Sequence, residues 1–70
     1  MNSPASVHVQ ISQALDDLER PDAPRFYEAH VEQIIINAMQ AYPKPFITLE
    51  EFHYYSARLR RICQRRKEAA

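Results

Sequence analysis

The segment that decides the fold is residues 23–42, which read APRFYEAHVEQIIINAMQAY. Apolar side chains recur along it at helical spacing and form one wide stripe: Tyr27, Val31, Ile34, Ile35, Ala38, Met39 and Tyr42. This spacing predicts an amphipathic helix. Phe26, Ala29 and Ile36 extend the apolar surface around more of its circumference. A helix that is apolar on more than one face is usually buried on more than one face.

A chain of 70 residues can hardly bury both faces of that helix by itself. It forms one domain at most, and so small a core rarely supplies more than about 3–5 kcal/mol without a further stabilising feature. The single cysteine, Cys63, excludes an internal disulfide and suits the reducing cytoplasm. We therefore predict a homodimer whose interface contains Phe26, Ile35, Ile36 and Met39.

Five prolines divide the remaining sequence. Proline lacks a backbone N–H and disfavours the α region at the preceding residue, so helices end near it. We predict an all-α protein with a short first helix at about residues 6–20 and two longer, antiparallel helices at about residues 23–42 and 49–67. Residues 1–5 are interpreted as a flexible leader and residues 6–70 as a single helical domain.

The predicted helix starts rest on capping residues. Ser6 and Asp22 are plausible N-caps of the first and second helices. Thr48 and Glu51 have the spacing of a capping box at the start of the third helix.

A competing interpretation concerns residues 7–11, because Val7-His8-Val9-Gln10-Ile11 also alternates like a strand. A strand followed by two helices over about residues 6–42 resembles the ribbon-helix-helix family, which implies DNA binding. The sequence lacks the polar strand-facing pattern and the glycine-containing turn of that family, and Pro21-Asp-Ala-Pro24 interrupts it. We therefore prefer the helical interpretation.

The chain contains no glycine, which argues against phosphate-binding loops, dinucleotide fingerprints and nucleophile elbows. Its three histidines and Cys63 are scattered, and they do not combine into a nucleophile, a base and an orienting group. We expect no enzyme activity, no cofactor and no metal. The N-terminus does not resemble a secretory signal, and no apolar run approaches the ~20 residues of a membrane span. We expect a cytoplasmic protein that does not enter a membrane.

Charge is unevenly distributed although the net charge is zero. Residues 1–51 contain eight acidic and three basic side chains, whereas residues 52–70 contain one acidic and six basic ones. Such asymmetry favours a nucleic acid or another charged partner. The alternative is that the acidic part of the fold, or of a dimer mate, packs beside the basic helix and neutralises it.

The basic residues of the third helix follow helical spacing, with Tyr54, Arg58, Arg61 and Arg65 at intervals of 4, 3 and 4. Arginine forms bidentate bonds to carboxylates and phosphates, and tyrosine with arginine is typical of interface hot spots. The predicted partner-binding residues are Tyr54, Arg58, Arg61, Arg65, Arg66, Tyr42 and Phe46.

From this pattern we predict a regulator of phage, plasmid or bacterial type that binds a larger protein stoichiometrically as an adaptor or inhibitor. The alternative function is a DNA-binding transcriptional regulator that uses the arginine-rich helix. The sequence pI near 6.8 favours the first function, because nucleic-acid-binding domains are usually basic overall.

Overall fold

A computed structural model of the protein describes residues 3–69. It contains three helices, α1 (Pro4–Leu18), α2 (Tyr27–Met39) and α3 (Leu49–Ala69). The predicted all-α, three-helix class is confirmed. Because this part of the chain has no strand, the ribbon-helix-helix interpretation is wrong. Val9 is 57% exposed, whereas Val7 and Ile11 are buried, which is the pattern of a helix that packs on one face.

The start of α1 lies earlier in the chain than the sequence predicts. Ser3 is the N-cap, and its hydroxyl accepts a hydrogen bond from the Ser6 N–H at 3.3 Å. The Ser6 hydroxyl in turn accepts from the Ser3 N–H at 3.0 Å, so Ser6 completes a capping box and is not itself the cap. Pro4 and Ala5, assigned to the leader, are helical, while leader residues 1–2 lie outside the described residues.

The second helix is shorter than predicted at both ends. With 13 residues it is also shorter than α1, which has 15, so the prediction that the first helix is the shortest is wrong. Phe26 occupies its N-cap without a side-chain hydrogen bond, and Asp22 lies in the preceding turn. The N–H groups of Tyr27 and Glu28 donate to the carbonyls three residues earlier, so the chain makes a turn after Pro24 before the helix begins. At the other end α2 stops at Met39, and its Ala38 carbonyl accepts from the Phe46 N–H at 2.9 Å.

The capping box predicted at the start of α3 is confirmed. The Glu51 N–H donates to Thr48 Oγ1 at 3.1 Å, and the Thr48 N–H donates to Glu51 Oε1 at 2.7 Å. The hydrogen bond from the Thr48 N–H is the main reason that the pKa of Glu51 lies below its usual value. A carboxylate here also suits the positive end of the helix dipole.

The helices run up, down and up, with α1 and α3 parallel and α2 antiparallel to both. This arrangement follows from contacts between early residues of α1 and α3, between late residues of both, and between the start of α2 and the end of α3. Every buried residue of the described chain is hydrophobic: Val7, Ile11, Ala14, Leu15, Leu18, Val31, Ile35, Ala38, Ile47, Tyr55, Leu59 and Ile62. None of the described helices has the length and hydropathy that a membrane crossing requires.

Candidate partner-binding surface

The arginine row predicted on α3 divides into two groups. Arg58 points toward α1, where its Nη2 lies 2.8 Å from Asp16 Oδ1 and 3.6 Å from Glu19 Oε1. These contacts neutralise one base of α3 with the acidic surface of α1. Arg58 is therefore engaged within the chain, as the neutralising interpretation of the charge pattern expects.

Arg66 is engaged still more fully. Its Nε donates to Glu28 Oε2 at 3.0 Å, and its terminal nitrogens donate to the carbonyls of Leu18, Arg20 and Ala23 at 3.0, 3.3 and 2.8 Å. One guanidinium thus satisfies backbone acceptors at the end of α1 and in the α1–α2 loop. The hydrogen bond from Arg66 also holds the pKa of Glu28 below its usual value. These contacts give Arg66 a structural role, and its partner-binding role stays a prediction.

Arg61 and Arg65 form the second group. Both are exposed, and neither forms an ion pair with another side chain of residues 3–69. They lie four residues apart, so they share one face of α3. Tyr54 lies nearer the start of the same helix and is 59% exposed. We call Tyr54, Arg61 and Arg65 the outer face of α3.

The aromatic residues predicted near the α2–α3 loop have different environments. Tyr42 is 93% exposed, whereas Phe46 is half-buried and packs against the core. The Phe46 N–H also closes the end of α2. Tyr42 is therefore accessible to a partner, whereas Phe46 contributes mainly to the packing of the core.

An open cleft at the end of α3 brings together basic side chains that are distant in sequence. Arg20 and Arg25 of the α1–α2 loop line it with Arg60, Arg65 and Lys67 of α3. Sequence reasoning missed Arg20 and Arg25, because the first 51 residues are acidic in sum. Arg65 lies on both the outer face and this cleft, so the two surfaces are continuous.

A polar seam joins α1 to the first half of α3. His8 Nδ1 lies 2.6 Å from the Tyr55 hydroxyl, and His8 Nε2 lies 3.3 Å from Glu51 Oε2. A carboxylate only accepts, so the Nε2–H of His8 faces Glu51, and in the neutral form of the ring Nδ1 accepts from the Tyr55 hydroxyl. Burial raises the pKa of Tyr55, so this hydroxyl stays protonated. The seam explains His8 as a structural residue.

A second open groove lies between α2 and α3, with a volume of about 660 Å³. Ile35 and Leu59 form its floor, Ile36 and Phe52 are half-buried along it, and Glu32 and Arg60 line opposite sides. We call it the α2–α3 groove. Cys63 also lines it, and burial beside the Glu28 carboxylate raises the pKa of this thiol to about 11.

The four residues predicted at the dimer interface differ in their exposure to solvent. Phe26 is 74% exposed, and Ile36 and Met39 are half-buried. Ile35 is only 1% exposed because it packs in the core between the helices, beneath the α2–α3 groove, and its place in an interface stays a prediction.

Among residues 3–69, no group of three or more His, Cys, Asp or Glu side chains is arranged to hold a metal ion. Comparison of the chain with protein-family models, curated proteins and solved structures found no match.

Proposed function

We propose that this protein is a small, non-enzymatic regulator that binds a larger protein stoichiometrically, as an adaptor or inhibitor. The outer face of α3 is the contact surface. The observation that carries the proposal is the division of the arginine row. Arg58 and Arg66 are satisfied within the chain, whereas Arg61 and Arg65 are exposed without a partner among the described residues.

The composition of this face suits a protein partner. Arginine can bind a carboxylate with two parallel hydrogen bonds, and its planar group also stacks on aromatic rings. Tyr54 adds a large and rather rigid contact surface on the same helix, and tyrosine and arginine are enriched among the residues that dominate binding energies. The neighbouring cleft adds Arg20, Arg25 and Lys67 as further positive charges. The partner surface is therefore expected to be acidic.

The test compares the double substitution Arg61→Ala/Arg65→Ala with Lys44→Ala, which removes an exposed charge from the α2–α3 loop. Alanine is the best helix former, so α3 should keep its helicity. Wild type and Lys44→Ala, immobilised and treated with nuclease, should capture the same host protein from the native host. The double variant should lose it. The purified complex should contain a fixed ratio of the two proteins. Equal capture by all three chains would refute the proposal.

DNA binding is the second candidate, supported by basic side chains in the last half of α3 that form no ion pair within residues 3–69. Arg60, Arg61, Arg65 and Lys67 are exposed within eight residues. If DNA is the ligand, the logarithm of the affinity should fall linearly with the logarithm of salt concentration. Each phosphate contact should contribute about −0.9 to the slope, and the double variant should be shallower. If the ligand is a protein, duplex DNA should bind weakly to every variant at physiological salt.

We also propose that the protein self-associates and that it works in the cytoplasm. Self-association is supported by the small core and by the large hydrophobic side chains left exposed: Val9, Phe26, Tyr42, Leu49 and Tyr54. Of the four predicted interface residues, Phe26, Ile36 and Met39 keep accessible surface, and Ile35 lies beneath them in the core. The reduced Cys63 thiol suits a reducing compartment.

A further inference from the structure

We infer that a second copy of the chain docks on the α2–α3 groove about a two-fold axis parallel to the helices, so that Glu32 of each copy faces Arg60 of the other. This inference rests on the proposed self-association and specifies its surface. It does not depend on the partner that binds the outer face of α3.

The groove has the features of an interface that is complementary to itself. Its middle is apolar, with Ile36 and Phe52 only half-buried above Ile35 and Leu59. Its α2 side carries an acid and its α3 side carries a base. Both Glu32 and Arg60 are exposed, and neither has an ion-pair partner within residues 3–69. An interface between identical chains must match a surface to itself, and opposite charges on the two sides provide that match.

The charges select between the two ways of placing a two-fold axis in the interface plane. An axis perpendicular to the helices and level with Glu32 and Arg60 would set α2 against α2 and α3 against α3, which brings acid to acid and base to base. An axis parallel to the helices sets α2 of one copy against α3 of the other and retains the height of each residue along the bundle. Only this second arrangement pairs Glu32 with Arg60, and like charges held face to face are strongly unfavourable.

The same axis also gives favourable helix packing. Because α2 and α3 are antiparallel within one chain, α2 is antiparallel to α3 of the second copy as well. The interface is then a four-helix bundle in which every adjacent pair is antiparallel, with Ile36 and Phe52 of both copies in its centre. Half-buried apolar side chains thereby become core residues, which compensates for the small core of a single chain.

The test exchanges the charges in separate chains. Glu32→Arg has bases on both sides of the groove, and Arg60→Glu has acids on both sides. Each variant alone should self-associate more weakly than wild type, by roughly tenfold or more in dissociation constant. An equimolar mixture should form a heterodimer, because every contact between the chains is then between opposite charges. Light scattering or native mass spectrometry should give about twice the 8.2 kDa chain mass for wild type and for the mixture.

The mixture distinguishes pairing between chains from pairing within one chain, because each chain in it keeps like charges across its own groove. Gln33→Arg, on the exposed face of α2, is the matched control and should leave the wild-type mass unchanged. Circular dichroism should show the same helix content and cooperative melting for all variants, since every altered residue is exposed. A wild-type mass of one chain at micromolar concentration would refute self-association itself. If the wild type is a dimer and each charge variant also forms a dimer by itself, the α2–α3 groove is not the interface, and self-association itself still holds.

Discussion

Arg66 Nε donates a hydrogen bond to Glu28 Oε2 over 3.0 Å, and this pair joins the end of α3 to the start of α2. The two residues are 38 positions apart in sequence. The same guanidinium also binds the Leu18, Arg20 and Ala23 carbonyls, so the two ends of the α1–α2 connection are tied to α3 through one side chain.

The first prediction is that Arg66→Ala destabilises the protein. The substitution leaves carbonyls at the end of α1 and in the following loop without their donor. The free energy of unfolding should fall by about 1–3 kcal/mol, the range for partly buried groups that lose a charged hydrogen-bond partner. Lysine cannot reproduce the forked geometry of the guanidinium. The Arg66→Lys variant should therefore be almost as unstable as Arg66→Ala.

The matched control for this prediction is Arg65→Ala, which removes the same charge from the neighbouring exposed position. Its effect on urea or thermal unfolding should stay within about 0.5 kcal/mol, as for most surface substitutions. If Arg65→Ala and Arg66→Ala reduce stability equally, the contacts of Arg66 contribute nothing particular to the fold.

The second prediction concerns pH. The hydrogen bond from Arg66 lowers the pKa of Glu28 in the folded protein below its ordinary value of 4.5. A depressed folded pKa means that the carboxylate stabilises the fold above the unfolded pKa and ceases to do so as pH falls through the folded pKa. Wild type should therefore exceed Glu28→Gln in melting temperature near neutral pH, and the difference should shrink below about pH 4.5. Glu50→Gln, at an exposed first-turn position of α3 without an ion pair in the described chain, is the control. A difference between wild type and Glu28→Gln that is constant with pH would contradict the assignment.

The third prediction tests the start of α3. Thr48→Ala removes the acceptor for the Glu51 N–H and should cost about 0.5–2 kcal/mol of unfolding free energy. Thr48→Ser keeps the hydroxyl and should cost very little. Thermal melts of both variants measure the difference, and equal melting temperatures for all three proteins would mean that this cap does not stabilise the helix.

The fourth prediction concerns the reactivity of the Cys63 thiol. Burial and the Glu28 carboxylate raise its pKa to about 11, so it holds little thiolate at neutral pH. Alkylation of the native protein should be slower than that of a model thiol, roughly tenfold or more, because the thiolate is the reacting species. The rate should keep rising as pH increases past 9, the ordinary pKa of the group. Protein unfolded in urea should react at the model rate, whereas fast alkylation of the folded protein at pH 7 would contradict the environment described for Cys63.

Several features could be predicted from the sequence because they depend on neighbours along the chain. The number of helices follows from apolar spacing and from the prolines, and the capping box of Thr48 and Glu51 needs only a separation of three residues. The same spacing places Arg61 and Arg65 on one face of α3, although it does not show that Arg58 turns toward α1. The start of α1 was misjudged by one turn because Ser3 and Ser6 have equal capping chemistry, and only the folded geometry shows which of them is the cap.

What the tertiary structure decided is which groups meet between helices. The arginines of α3 are indistinguishable in sequence, yet Arg58 and Arg66 face carboxylates and carbonyls of α1, α2 and their connection, while Arg61 and Arg65 face outward. Likewise Ile35 and Ile36 are adjacent, but about 100° of helical rotation buries the first in the core beneath the groove and leaves the second half-buried along it. Sequence by itself determined the helices and their apolar faces, because local hydrogen bonding and periodicity control both. Which charges stay exposed is decided by the packing of the helices, because it depends on contacts between residues about forty positions apart.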